Sequence, residues 1–449
     1  MLRALEAINA AVWGVPLLVL MLGVGSYLTI KTDFVQFRRF PEALRAFWRQ
    51  FSVKNGNDSR SSYRALCTAL AATVGTGNLA GVAGAIAIGG PGAIFWMWVC
   101  AFIGMGTKFA EATLAVRYRK KDRNGECVGG PMYMIQTGLN KRWHILAYVY
   151  CFFGLVASFG VGNATQINTV IGGLDGVTRS FGMSLEPWMK LIIGFVLALM
   201  LAYMLVGGAR RIGEATERII PFVSVGYIVL CFFVIALKFE QIPDVVRAII
   251  IGAFSPKAVT GGTVGSILLT LRIGVSRGVF TNEAGMGTAA IAHASGKVEH
   301  PTQQGLMGII EVFIDTIVIC TLTALVILCS GIEIPFGSDT GINLTADAFS
   351  RVCGEWVRIP LAIALCLFAI ATILGWGLYG ARCAQFLFGK AAWKYFALLQ
   401  CVAVIGGAVL QTGTVWLIAD IVNGLMAIPN LIALGLLTPE LIRLIKEST

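Results

Sequence analysis

Residues 65–90 read ALCTALAATVGTGNLAGVAGAIAIGG. The stretch is apolar and long enough to cross a bilayer, which takes about 20 mostly apolar residues. Its centre is Val74-Gly75-Thr76-Gly77-Asn78. Two glycines around a threonine, followed by asparagine, weaken a helix at the depth where free backbone groups are hardest to satisfy. Broken backbone is tolerated there only where it is buried in protein or lines a wet cavity. Discontinuous helices of this kind build substrate and ion sites in secondary transporters. Small residues also let membrane helices pack closely. On this segment alone both readings stand, and the rest of the chain has to separate them.

The composition sets the class. The chain has 449 residues, 57% hydrophobic and 13% charged, with mean hydropathy +0.78. Soluble domains carry about 25% charged residues, so this is an all-α polytopic membrane protein whose main partner is the lipid bilayer. The apolar runs are about twenty residues long, which excludes the ten-residue alternation of a membrane barrel. A net charge of +11 would suggest nucleic acid in a soluble protein. Here the charge sits in particular loops, where membrane orientation explains it, and no nucleic-acid partner is expected. The cysteines fall mostly inside apolar runs (Cys67, Cys100, Cys151, Cys231, Cys320, Cys366, Cys401), with no CxxC and no zinc spacing. A bridge from Cys329 to Cys353 across one outer loop is left open. With three histidines, all near span ends, and no HExxH, the chain lacks the nucleophile–base or metal constellation of an intramembrane enzyme, and no cofactor is expected. A channel would need repeated filter loops or subunit symmetry. The first nine residues are too short and too amphipathic for a cleaved signal, so the first apolar run is expected to remain as a helix.

Eleven spans are expected, at 10–30, 63–89, 91–118, 144–174, 188–205, 217–239, 263–292, 305–331, 356–386, 392–410 and 415–437, with an interfacial amphipathic helix at 243–251. They are numbered 1 to 11 below. Basic residues cluster after span 1 (Lys31, Arg38, Arg39, Arg45, Arg49, Lys54, Arg60) and after span 3 (Arg119, Lys120, Lys121, Arg123, Lys141, Arg142). More follow span 5 (Arg210, Arg211) and span 9 (Arg382, Lys390, Lys394), and Arg443 and Lys446 lie in the tail. The intervening loops are short or lean acidic, with Glu333, Asp339, Asp347 and Glu355. The positive-inside rule then puts the N-terminus outside and the C-terminus in the cytoplasm, as an odd number of spans requires. The alternation is weakest in the middle, where Arg247 and Lys257 follow span 6 and only Lys297 follows span 7.

Span 7 carries LRIGVSRGVFTNEAGMGTAAIAHA from Leu271, a second interrupted segment. Gly274, Gly278, Gly285 and Gly287 alternate there with Arg272, Arg277, Asn282 and Glu283. Charges inside a span are costly and usually face a cavity or one another. The three charged residues read as structural or gating groups rather than ligand contacts, unless Arg277 and Glu283 simply lie at the cytoplasmic end. The segment lies five spans after the first break, and an odd offset inverts its orientation. Paired interruptions in two halves point to an inverted-repeat transporter. The division expected is an N-terminal helix and basic loop at 1–62, a first repeat at 63–240 (spans 2–6), a second at 241–437 (spans 7–11) and a tail at 438–449.

A small zwitterion suits such a site. Its carboxylate can be met by the free N–H groups at the start of a half-helix, and glycines at 75 and 77 let it approach the main chain. A sodium ion wants about five or six oxygens, by analogy with other hard cations. Carbonyls of Ala71 and Val74 with hydroxyls of Thr73 or Thr372 would serve. In span 4, Asn163 and Gln166 share a face. Amides at that depth either join helices or bind ligand, and Gln166 is a candidate for the second. In span 9, Thr372 and Trp376 share a face beside Gly375 and Gly377, and Trp376 and Phe280 are candidate pocket walls, with packing as the alternative.

The run Gly89-Gly90-Pro91-Gly92-Ala93-Ile94-Phe95-Trp96-Met97-Trp98, continuing VCAFIG, resembles the signature of the alanine/glycine:cation symporter family, the bacterial sodium:alanine symporters. TNEAGMGTAAIAHA at 281–294 resembles that family too, and the likeness extends over nearly the whole chain. The resemblance implies sodium-driven uptake of alanine or glycine by alternating access, in a bacterial inner membrane. It also implies a leucine-transporter-type 5+5 inverted repeat with one extra N-terminal helix. More distantly, VGTGN at 74–78 is similar to the V-G-x-G-N of the first core helix in neurotransmitter:sodium symporters. Carried over, Gly75, Thr76 and Gly77 would meet the carboxylate. Asn78 and the Thr73 carbonyl would touch one sodium site, and Ala71, Val74 and Thr372 the other. In the family, Thr372 and Trp376 look like pocket residues. Span 9 departs from the distant relatives, which have consecutive hydroxyl residues where this chain has Ala371, Thr372 and Ile373; the number of sodium sites stays open. The signature itself would turn the chain at GGPG and pack FWMW at the interface. A proton-coupled carrier of the same fold is the alternative, with Glu111, Glu311, Asp315 and Asp420 in or near spans.

Overall fold

The structure is a computed structural model that describes residues 2–52, 57–122, 125–180, 182–338, 341–409 and 413–448. Lys54, Arg123, Asp339 and the expected end of span 10, Leu410, lie outside the described residues, as does the side chain of Arg60. Nine helices among the described residues are long and apolar enough to cross a membrane, and a bent pair, Ser61–Thr73 and Gly77–Gly89, makes a tenth. The two halves of that pair meet at 50°. They are span 2, and the bend falls at the glycines that weaken it.

The eleventh expected crossing, span 7, is of another kind. Its helix Ile267–Asn282 is only 16 residues long and is followed, after a break, by the six-residue helix Thr288–His293. Arg272, Arg277 and the interruption at Glu283 keep it below the length and hydropathy of a continuous span. Other ends shift outward. Span 6 begins at Gly208, and span 11 runs from Gly413 to Glu447, so most of the expected tail is helical. The interfacial helix is present at Ile242–Phe254. The loops also contain helices that the sequence pattern does not predict, the longest being Phe40–Ser52, Ile342–Cys353 and Pro131–Gly138. Cys329 and Cys353 are both free thiols.

Span 3, Gly92–Arg117, is the central post, packed most extensively against span 8 and span 7. Small residues allow both approaches. Gly308 of span 8 lies over the main chain of Lys108; a Cβ there would stand 2.8 Å from the Lys108 carbonyl oxygen. Gly278 of span 7 lies against the Cys100 side chain, with a Cβ there 3.2 Å from its Cβ. The GGPG-FWMW stretch builds a joint. Gly90 takes φ +74 in the turn, Gly92 rests directly on the backbone of Gly252 and Ala253 in the interfacial helix, and Trp96 Nε1 donates to the Ala253 carbonyl at 3.2 Å. Trp98 Nε1 donates to Thr321 Oγ1 of span 8 at 2.8 Å. Spans 5 and 6 form an outer layer that leaves Phe195, Leu199, Phe222, Val229 and Phe232 exposed, the apolar face a bilayer would cover.

The crossing of spans 3 and 8 gives a test. Gly308→Ala should overpack it at a cost of about 1–3 kcal/mol, seen as a lower thermal midpoint in detergent. Gly226→Ala, whose new methyl would meet nothing within 4 Å, should leave that midpoint unchanged.

Candidate functional site

The first helix of span 2 stops at Thr73, and after a bend at Val74–Thr76 the chain resumes as a π-turn over Gly77–Gly81. Asn78 stitches this break. Its Oδ1 accepts from the Gly75 N–H at 2.8 Å, and its Nδ2 donates to Asp315 Oδ1 at 2.6 Å and the Asp315 carbonyl at 3.2 Å. Asp315 lies in a π-turn of span 8, Phe313–Cys320, and its other oxygen accepts from Thr316 Oγ1 at 2.7 Å. The Asn78 side-chain oxygen is thus engaged by the break's own backbone. Thr76 Oγ1 donates to Gln166 Oε1 at 2.9 Å, and Gln166 Nε2 donates to the Val161 carbonyl at 3.0 Å. Of the two amides on that face of span 4, Gln166 meets the break. Asn163 bonds Gln400 of span 10, through both the backbone and the side chain, and so joins helices.

Thr372 sits against the same break. Its hydroxyl is buried with no hydrogen-bond partner among the described residues, and a Cβ on Gly75 would stand 2.5 Å from it. An orphaned hydroxyl at this depth costs roughly 1–3 kcal/mol unless something meets it. Thr73 Oγ1 turns back to the Ala69 carbonyl at 3.2 Å, and Ala71 and Val74 are fully buried beside the break.

A cavity of about 630 Å³ ends on the break. Thr76, Gly77, Ala80 and Gly81 form one wall, Phe280 and Arg277 of span 7 another, and Asn168 of span 4 and Asp420 of span 11 complete it. Asn9 and the start of the helix Ile342–Cys353 line it as well. At the other end of span 2, Arg64 pairs with Glu217 at 3.0 Å and Ser61 Oγ donates to the Ser295 carbonyl at 3.1 Å. Thr76, Gly77 and Phe280 therefore face the cavity. Trp376 does not: it is fully buried, packed on Gly162, and its indole N–H donates to Glu283 Oε1 at 3.0 Å.

The break of span 7 is stitched as well. Glu283 has φ +52, and Gly285 and Gly287 have φ +92 and +77. Glu111 of span 3 accepts the N–H groups of Gly285 and Gly287, both at 3.0 Å, on one oxygen. Asn430 of span 11 donates to that oxygen at 2.7 Å and to the Gly285 carbonyl at 2.9 Å. Lys108, with no exposure, pairs with Glu311 at 3.1 Å. The other Glu311 oxygen meets His293 Nε2 at 2.8 Å, and His293 Nδ1 meets Gln304 at 2.7 Å. Lys108, His293, Gln304 and Asn430 were not singled out from the sequence. The available signal was Lys108 and Glu111 three apart inside an apolar span.

The Lys108–Glu311 pair predicts its own double-mutant behaviour. Lys108→Met should cost about 3–5 kcal/mol by leaving a carboxylate buried beside an apolar chain. Adding Glu311→Gln, which removes the charge and can still accept from His293, should restore most of that stability. Thermal unfolding of the two variants in detergent measures it.

The sequence profile described as the sodium:alanine symporter family matches residues 1–448. The chain is 43% identical over 437 residues to the sodium/alanine symporter AgcS of Methanococcus maripaludis, covering 96% of this chain and 94% of that one. It is 42% identical over 437 residues to an uncharacterized transporter of Haemophilus influenzae, covering 96% and 92%. Among solved structures, that of MhsT in complex with L-phenylalanine aligns with a TM-score of 0.59 at 14% identity, over 86% of this chain and 98% of that one. That likeness establishes the leucine-transporter-type fold. The chain belongs to the sodium:alanine symporter family, a family of membrane transporters rather than enzymes.

Proposed function

We propose that this protein is a sodium-coupled symporter that carries small neutral amino acids, alanine and glycine, into the cell by alternating access. The observation that carries the reading is the cavity that ends on Thr76 and Gly77, at the point where span 2 is unwound. A zwitterion lodged there would set its carboxylate against the start of the second half-helix, with Gln166 behind Thr76 and Phe280 closing the side. The uncompensated Thr372 hydroxyl opposite Gly75 is the type of oxygen a sodium ion takes. Ala71, Val74 and Thr73 would supply the remaining oxygens. Asn78 is placed to hold the break in shape, so its part in a sodium site would be indirect while its oxygen stays on Gly75. The printed function of AgcS, sodium/alanine symport, supports the same substrate and ion. The repeats would be 63–240 and 241–437, in a bacterial inner membrane, with the N-terminus outside and the C-terminus in the cytoplasm.

Uptake of labelled L-alanine into proteoliposomes tests the coupling. An inward sodium gradient should drive accumulation, and potassium in its place should not. Equal accumulation with a proton gradient and no sodium would overturn the sodium assignment. A second measurement addresses the site. A methyl on Gly77 would lie 3.4 Å from Thr281 and 3.5 Å from Phe280, ordinary contact, so Gly77→Ala should insert and fold normally. It should nonetheless lose uptake, because the methyl occupies the approach to the main chain. Normal uptake by Gly77→Ala would place the carboxylate elsewhere.

A further inference from the structure

Four buried groups around the second break carry more negative charge than the protein balances. Glu111, Glu283 and Glu311 face one ammonium, that of Lys108, and all four are at most 3% exposed. His293 does not restore the balance. Its Nδ1 lies 2.7 Å from Gln304 Nε2, and Gln304 Oε1 lies 2.7 Å from Ser62 Oγ. His293 can add one positive charge at most, beside Glu311, so the three carboxylates still outnumber the cations. With every carboxylate ionised, the cluster would hold at least one uncompensated negative charge within the membrane, a cost of several kcal/mol per charge.

The partners say which carboxylate is the odd one. Glu311 has the ammonium. Glu111 accepts two backbone N–H groups and an amide N–H on a single oxygen, an arrangement that suits an anion. Glu283, like Glu111, touches only uncharged groups, but it has one hydrogen-bond contact on each oxygen instead of three donors on one. Trp376 Nε1 can only donate, and does so to Oε1. Thr288 Oγ1 lies 2.5 Å from Oε2, and a hydroxyl can accept as readily as it donates. A neutral acid at Glu283 satisfies both contacts, with Oε1 accepting from the indole and Oε2–H donating to Thr288. The same residue holds an αL backbone at φ +52, uncommon for a residue other than glycine. The other titratable groups around it are Lys108 and Glu111 of span 3, Glu311 of span 8, Tyr379 of span 9 and His293 of span 7 itself, and Asp315 of span 8 adds a further buried carboxylate beside Glu311 and Lys108.

We propose that Glu283 is a proton-binding site, a neutral carboxylic acid that ties the Trp376 indole of span 9 to the break of span 7 and yields its proton to water when that tie opens. The proton is then part of the gating of the transporter, whether or not sodium supplies the driving force. The transport arm below rests on the proposed alanine uptake; the spectroscopic arm does not.

Infrared difference spectra of the purified protein between alkaline and neutral pH report the carbonyl stretch of a protonated carboxylic acid, which a carboxylate lacks. The wild type should show that band. Glu283→Gln, which keeps both hydrogen bonds, should lose it, and Glu111→Gln should retain it. If Glu283→Gln fails to fold, Trp376→Phe removes the indole donor and should shift the same band. In proteoliposomes, alanine uptake by the wild type should fall on the alkaline side by about tenfold per pH unit, and Glu283→Gln should lack that limb. No band in the wild type, a band that survives Glu283→Gln, or an alkaline limb unchanged in Glu283→Gln would overturn the assignment.

Discussion

Hydrocarbon offers nothing to a free N–H or C=O, so each unwound turn in this chain has to be met from within the protein. Two polar side chains meet most of that demand. Asn78 closes the break of span 2 by taking the Gly75 N–H, and Glu111 closes the break of span 7 by taking those of Gly285 and Gly287. Each is held by a second polar group from another span: Asp315 of span 8 behind Asn78, and Asn430 of span 11 beside Glu111. The two breaks are therefore linked to spans 3, 8 and 11 through directed bonds, and a shift of either half-helix must rearrange them.

That demand explains why charge is buried where sequence economy would avoid it. A carboxylate can take several N–H groups on one oxygen, which an amide does less strongly. Once Glu111 is committed to the glycine turn, Lys108 one turn earlier on the same helix reaches Glu311, and His293 and Gln304 extend the line to Ser62 at the start of span 2. The polar chain thus runs from the second break back to the first helix of the other half. Glycines at 305 and 308 let spans 3 and 8 come close enough for that pair to form.

Much of this was legible beforehand. The glycines at 75 and 77 gave the bend in span 2, and the mixture of glycine and charge after Leu271 gave the second break, because both patterns are local. Gln166 was distinguishable as a candidate because an amide in an apolar span has few uses. What the sequence could not show was direction. Asn163 and Gln166 share a face, yet one joins span 10 and the other meets span 2, a difference set by neighbours far along the chain. Trp376 read as a pocket wall, but the carboxylate that holds it away from the cavity is 93 residues distant. The roles of Lys108 and Asn430 are set by partners from other spans, which no local pattern carries. The loop helix Ile342–Cys353 was missed since its amphipathic pattern is short and lies between spans.

The two breaks are alike in construction and unlike in what they leave open. At the first, Thr76 and Gly77 border the cavity, and a hydroxyl from span 9 stands beside Gly75 with no partner among the described residues. At the second, the glycine N–H groups are taken by Glu111, and the glutamate that begins the turn is taken by Trp376 and Thr288. A site whose polar groups remain available is suited to bind, whereas one whose groups are consumed by its own protein is suited to hold a position until those bonds change. Phe280 and Trp376 sit on either side of that distinction. Phe280 precedes the second break and faces the cavity, while Trp376, four residues after Thr372, is bound to the break itself. Span 9 thereby touches both breaks through residues one turn apart, and movement of that one helix would alter the binding groups and the holding bonds together.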